Sequence, residues 1–299
     1  MADETVEMRL DWKEPGRPFR HYFEVCVGSG HAALALRADW RDHLRKCRQE
    51  IGFEYVRFHG LLNDDMSVCT GTPDAPEHRF HNVDLIFDFL REIGMRPFIE
   101  LSFMPAVLAS GERTCFHYRG NVTPPRDYGQ WADLIRALTQ HLADRYGREE
   151  VAQWYFEVWN EPNLDYFWAG TQEDYFALYR HAAAAVKAVD GAFRVGGPST
   201  ALNGWVADLR EFCEAGGVPL DFLSTHHYPT DVELGHGLDM EDRMAASRRG
   251  VLTEWARRAR DEAGDLPLHY TEWNTSPSCT DPYHDAPYAA AFVLKTVAD

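Results

Sequence analysis

Seven times along this chain a short run of apolar and aromatic residues gives way to a longer amphipathic one. Side chains alternate every two residues on a strand and return every 3.6 residues on a helix, so this rhythm reads as repeated βα units around a parallel sheet. The spacing predicts strands over 22–27, 55–59, 97–103, 154–159, 193–197, 222–227 and 268–273. It predicts helices over 37–51, 82–93, 128–146, 173–189, 205–215 and 240–263, with a last one after Pro287. Gly94 and Gly147 fall where helices should stop, and Pro97 opens a strand, where its missing N–H costs least.

The fold class that follows is α/β, as a (β/α)8 barrel. Such a barrel needs eight strands to close, and only seven precede Asp299. Either one strand escapes the pattern, or the chain is a C-terminally truncated barrel whose first and seventh strands leave unpaired edges facing each other. The count favours the second. No Pro/Gly/Ser linker or low-complexity tract interrupts the chain after about Phe19, so it divides into an N-terminal arm, 1–18, and one barrel-type catalytic unit, 19–299.

Composition narrows the partners. A net charge of −17 argues against nucleic acid, because phosphate binding relies on clustered Lys and Arg that release counterions. The early acids Asp3, Glu4 and Glu7 fit neither a signal nor a transit peptide, and no stretch reaches the ~18 apolar residues of a membrane span. The six cysteines lie far apart without a CxxC pair, which makes a reducing cytoplasm the simplest setting. Oligomeric state is not legible.

Working residues of such barrels stand at the C-terminal ends of the strands. Two glutamates stand there. In Trp154-Tyr155-Phe156-Glu157-Val158-Trp159-Asn160-Glu161-Pro162-Asn163 the fourth strand turns into a loop at Asn160 and Glu161, forced by Pro162; His269-Tyr270-Thr271-Glu272-Trp273-Asn274 ends the seventh. Carboxylates on the fourth and seventh strands of an eight-stranded ring face one cleft, which is what glycosidic cleavage requires: one protonates the leaving oxygen and the other attacks the anomeric carbon. The competing structural readings are a helix cap for Glu161 and a core salt bridge for Glu272.

The stretches Tyr55-Val56-Arg57-Phe58-His59-Gly60, Glu157-Val158-Trp159-Asn160-Glu161-Pro162-Asn163, Ser224-Thr225-His226-His227-Tyr228-Pro229 and Tyr270-Thr271-Glu272-Trp273-Asn274 resemble glycoside hydrolase family 39, most of all its β-xylosidases. The resemblance runs from about Phe19 to Asp299. It implies retaining double displacement, with Glu272 as nucleophile and Glu161 as acid and then base. It further implies that Asn160 binds the sugar 2-hydroxyl, and that Arg57, His226 and Tyr228 orient Glu272 and keep it ionised. Arg57 and His59 share a face of the second strand, as His226 and Tyr228 do on the sixth. Phe116 and Phe167 resemble the family's aromatic pocket walls, although burial in a loop core explains either equally well.

Weaker patterns are set aside. His226-His227 with Asp231 suggests a metal only superficially, since neighbouring strand residues point to opposite faces, so neither metal nor cofactor is expected. Gly28-Ser29-Gly30 reads as a turn rather than a phosphate loop. Asp64-Asp65 reads as a solvated loop at the barrel rim. The expected function is an exo-acting β-xylosidase acting on xylosides or small oligosaccharides. The alternatives are an inactive or sugar-binding truncated barrel, and a relative acting on another glycoside such as α-L-iduronide, which would call for more basic loops.

Overall fold

The computed structural model describes residues 11–16, 18–231, 239–248 and 250–299. Seven parallel strands follow one another around a single sheet in chain order: β1 (Cys26–His31), β2 (Tyr55–His59), β3 (Arg96–Leu101), β4 (Tyr155–Val158), β5 (Arg194–Ala201), β6 (Phe222–His226) and β7 (Leu268–Glu272). Outside them lie α1 (Ala38–Glu50), α2 (His81–Glu92), α3 (Tyr128–Tyr146), α4 (Gln172–Val189), α5 (Val206–Gly216), α6 (Val251–Ala263) and α7 (Pro287–Ala298). This is a (β/α)8-type barrel lacking one strand among the described residues. Cα atoms of β1 and β7 approach within 8 Å without forming a ladder, and a cavity of about 640 Å³ lies beside them, lined from the two edges by Val25, Cys26, Leu268 and His269.

Local chemistry explains the best-defined elements. Asp127 caps α3 by accepting from the N–H of Gly129 at 2.7 Å, and Gly147, at φ +86°, ends it. Thr171 and Asp174 form a reciprocal capping box on α4. Outward-facing Val56, Ile99, Phe156 and Leu223 bury against helix residues such as Phe87, Leu134 and Leu178, forming the main core between sheet and helices.

Inside the barrel the period-two alternation stacks side chains in layers. Tyr55, Phe98, Tyr155, Phe222 and His269 form an aromatic floor, with Phe98 and Tyr155 stacked at 4.7 Å and Phe222 edge-on to Tyr155 at 5.2 Å. Two residues further along the same strands stand Arg57, Glu100, Glu157, Ser224 and Thr271, so the next layer is polar and charged. Gly196 lets β5 close on this floor: a Cβ there would sit 2.2 Å from the Phe222 carbonyl oxygen and 2.7 Å from its ring. Gly196→Ala is therefore expected to cost about 1–3 kcal/mol of stability by overpacking, seen as a lower urea midpoint; an unchanged midpoint would refute this packing.

Three expectations are corrected. The first strand is Cys26–His31, not 22–27, and Tyr22–Glu24 is a 3-10 turn. Gly28-Ser29-Gly30 lies inside that strand, not in a turn, because the ladder to β2 (Cys26 with Tyr55, Gly28 with Arg57) overrides glycine's poor strand propensity. The run over 240–263 is two helices, Met240–Ala246 and α6, with Gly250 at φ +76° between them. Seven of the arm's expected eighteen residues are described, 11–16 and 18. Among the described residues no helix is long and apolar enough to cross a membrane.

Candidate active site

The strand tips are re-aimed by two irregularities that simple alternation does not contain. Between Tyr270 and Glu272 the β7 ladder to β6 skips Thr271, so Thr271 and Glu272 both turn toward the barrel axis. A similar skip at Ser199 in β5, at φ +56°, brings its hydroxyl inward. Glu161 lies beyond β4 at φ +44°, anchored by its N–H on the Ser199 carbonyl at 2.8 Å. It is a loop residue and caps no helix.

At the centre lies Arg57, with 2% of its side chain exposed. Its Nε donates to Glu157 Oε2 at 2.5 Å, Nη1 to Glu272 Oε1 at 2.8 Å, and Nη2 to Asn160 Oδ1 and Ser199 Oγ at 3.0 and 2.9 Å. Nη2 also lies 2.8 Å from Glu100 Oε2. Burial alone would disfavour the guanidinium's charge, but Glu157, Glu100 and Glu272 raise its pKa well above the ordinary value. The core salt bridge considered for Glu272 thus exists, and it leaves the carboxylate partly open, with 20% of the side chain exposed.

Glu272 Oε2 accepts from the Tyr228 hydroxyl at 2.8 Å and lies 3.7 Å from His226 Nδ1. Burial pushes the Glu272 carboxyl up, but His226, His59 and Arg57 together with the Tyr228 hydroxyl overcome it and hold it well below the usual carboxylate range. Burial, reinforced by Glu272, raises the Tyr228 phenol well above its ordinary value, so it stays a donor. Tyr228 does this from beyond the end of β6, which stops at His226, rather than from the strand expected to carry it. Its N–H donates to Asp231 Oδ2 at 3.0 Å, and burial pushes that carboxyl up to about 6.

His226 joins the two glutamates. Its Nδ1 is 3.0 Å from Glu161 Oε1, and its Nε2 is 3.0 Å from Thr271 Oγ1. One carboxylate oxygen each of Glu161 and Glu272 and a ring nitrogen of His226 all lie within 4.8 Å of one another. The Glu272 oxygens accept from Arg57 and Tyr228, and each keeps a further lone pair for a ligand between the carboxylates. His227 points the opposite way, its ring 4.9 Å from that of Trp255. Asn160 is fully buried, and its Nδ2 has no hydrogen-bond partner among the described residues, leaving a donor free in a charged pocket.

Of the other expected residues, His59 Nε2 lies 3.4 Å from Glu272 Oε1. Phe116 stacks on His59 at 5.7 Å and meets Phe167 at 5.3 Å, so the two aromatics form one wall that is also half-buried in the loop core. Asp64 and Asp65 serve the loops: Asp64 Oδ1 accepts from the Ala106 N–H at 3.0 Å, and Asp65 pairs with His31 at 2.9 Å. Sequence reasoning missed Glu100, Glu157, Ser199 and Thr271, which hold Arg57, His59 and His226 in place. A signal existed for the two acids, since each sits inside an apolar strand where an unpaired carboxylate is almost never buried.

The family model described as glycosyl hydrolases family 39 matches residues 6–299. A curated relative named beta-xylosidase from Caldicellulosiruptor saccharolyticus is 58% identical over 280 residues, covering 93% of this chain and 57% of the relative. Another beta-xylosidase, from Geobacillus stearothermophilus, is 40% identical over 94% of this chain and 58% of its own length. The solved structure of a monomeric beta-xylosidase from Caulobacter crescentus CB15 superposes with a TM-score of 0.87 at 35% identity, over 96% of this chain and 59% of that one. The chain thus spans between half and two thirds of the length of these relatives.

Proposed function

The chain belongs to glycosyl hydrolases family 39, and we propose that it is an exo-acting β-xylosidase that removes terminal β-linked xylose by double displacement. One observation carries this reading: the Glu161 and Glu272 oxygens come within 4.8 Å of each other, both in contact with His226. Retaining pairs stand about 5–5.5 Å apart and inverting pairs roughly 6.5–9.5 Å. In the first step the Glu272 carboxylate attacks the anomeric carbon while Glu161 gives its proton to the departing glycosidic oxygen. In the second, Glu161 takes a proton from water as the oxygen of that water displaces Glu272, which leaves as a carboxylate.

The supporting residues fit these steps. The free Asn160 Nδ2 suits the sugar 2-hydroxyl, a contact that strengthens as positive charge grows on the ring. The Phe116 and Phe167 wall suits the C–H face of a sugar. The names of the curated relatives support xylose. Neither nucleic acid nor a cofactor enters this scheme, and a reducing cytoplasm goes with the six free thiols.

A panel of aryl glycosides tests the reading. Cleavage of the β-xyloside, with the β-anomer of xylose appearing first by proton NMR, is the expected result. Release of the α-anomer first, or turnover confined to another sugar, would overturn it.

A further inference from the structure

Glu100 is buried one layer below the two glutamates and plays no part in the steps above. Its Oε1 accepts from the Ser102 hydroxyl, while its Oε2 faces Arg57 Nη2 at 2.8 Å and His59 Nδ1 at 2.8 Å. The other ring nitrogen of His59 faces Glu272 Oε1 at 3.4 Å. A neutral imidazole has one N–H and one lone pair and no net charge, so either tautomer leaves one of the two carboxylates facing an unprotonated ring nitrogen. Only the doubly protonated ring offers a hydrogen bond to Glu100 and a positive charge at ion-pair distance from Glu272.

Charge balance points the same way, because with His59 neutral the Arg57 guanidinium alone would face three carboxylates, Glu100, Glu157 and Glu272. We propose that Glu100 is a positioning residue that holds His59 as an imidazolium, presenting its second N–H to Glu272 and to the sugar. The part concerning the sugar rests on the function proposed above; the charge state does not.

The groups facing His59 are Glu100 from β3, Glu272 from β7, Arg57 on its own strand and His31 at the end of β1, with Phe116 and Phe103 against the ring. Burial disfavours the charged ring, and Arg57 and His31 oppose it, but Glu100 and then Glu272 outweigh them, so the His59 pKa is raised above its ordinary value.

Glu100→Gln keeps the shape and an acceptor for Nδ1 but removes the charge. The test is a nitrogen-15 titration of the histidine rings in the intact chain, with His59 assigned by its absence from His59→Gln. In the wild type, His59 should lose its second N–H only above the ordinary histidine value of roughly 6.5. In Glu100→Gln it should lose one at or below roughly pH 6.5, the ordinary histidine value. Alongside this, kcat/KM for an aryl β-xyloside should acquire a new alkaline limb near that pH and fall about 10- to 100-fold above it, as expected when a charged hydrogen bond is lost, with recovery on acidification.

A wild-type His59 that titrates at or below roughly pH 6.5, or one that titrates no lower in the variant than in the wild type, would overturn the proposal. If the variant does not fold, the wild-type titration decides alone. If the titrations behave as expected but the chain cleaves no xyloside, the proposed substrate fails while the role of Glu100 toward His59 stands.

Discussion

Glu272→Ala is expected to lower hydrolysis of an aryl β-xyloside by about 10⁴-fold or more, since removing one member of a catalytic unit forfeits nearly all the unit contributes. Glu161→Ala should behave differently with the leaving group. Positioned proton transfer is worth about 10²–10⁴-fold, and an aryl group that departs readily as its anion needs little of it. Its loss should therefore be small on an activated aryl xyloside and full on xylobiose. Azide should restore turnover of the activated substrate in Glu272→Ala by attacking the emptied face of the anomeric carbon, giving the α-glycosyl azide. Equal losses on both substrates in the two variants, measured as kcat/KM, would remove the basis for assigning them separate roles.

Arg57→Ala should be strongly destabilising. The guanidinium is 2% exposed and pairs with Glu157 at 2.5 Å and with Glu100 and Glu272 at 2.8 Å. Taking it away leaves buried carboxylates without their main cation, and breaking a buried pair from one side costs about 3–5 kcal/mol. Urea denaturation at pH 7 measures this. Adding Glu157→Gln should recover part of the loss, because the Gln would no longer be a buried charge, whereas activity should not return. A single variant less than about 1 kcal/mol below wild type would mean that the network is not the internal support described here.

Much of the scaffold was legible because its causes are local. The second strand over 55–59 and the third helix over 128–146 match their predicted limits, one by alternation and the other by helical periodicity and a stopping Gly147. The first strand was misplaced because Tyr22 and Phe23 carry strand-like chemistry while two glycines interrupt the true strand; pairing to β2, a non-local interaction, decides there. The break between Met240–Ala246 and α6 was hidden inside one amphipathic run.

For the site, the sequence named Glu161, Glu272, Asn160, His226, Tyr228, Arg57, His59, Phe116 and Phe167, and the structure gathers all nine around one end of the barrel. Period-two alternation alone determined that Arg57 and His59 share the barrel face, because that spacing is set within one strand. Only the tertiary structure decided that Thr271 and Glu272 both turn inward, that Tyr228 reaches Glu272 from beyond its strand, and that Glu100 and Glu157 brace Arg57 from two other strands. Those outcomes depend on how neighbouring ladders slip and where separate strands meet, and a side chain's own position in the chain carries no record of either.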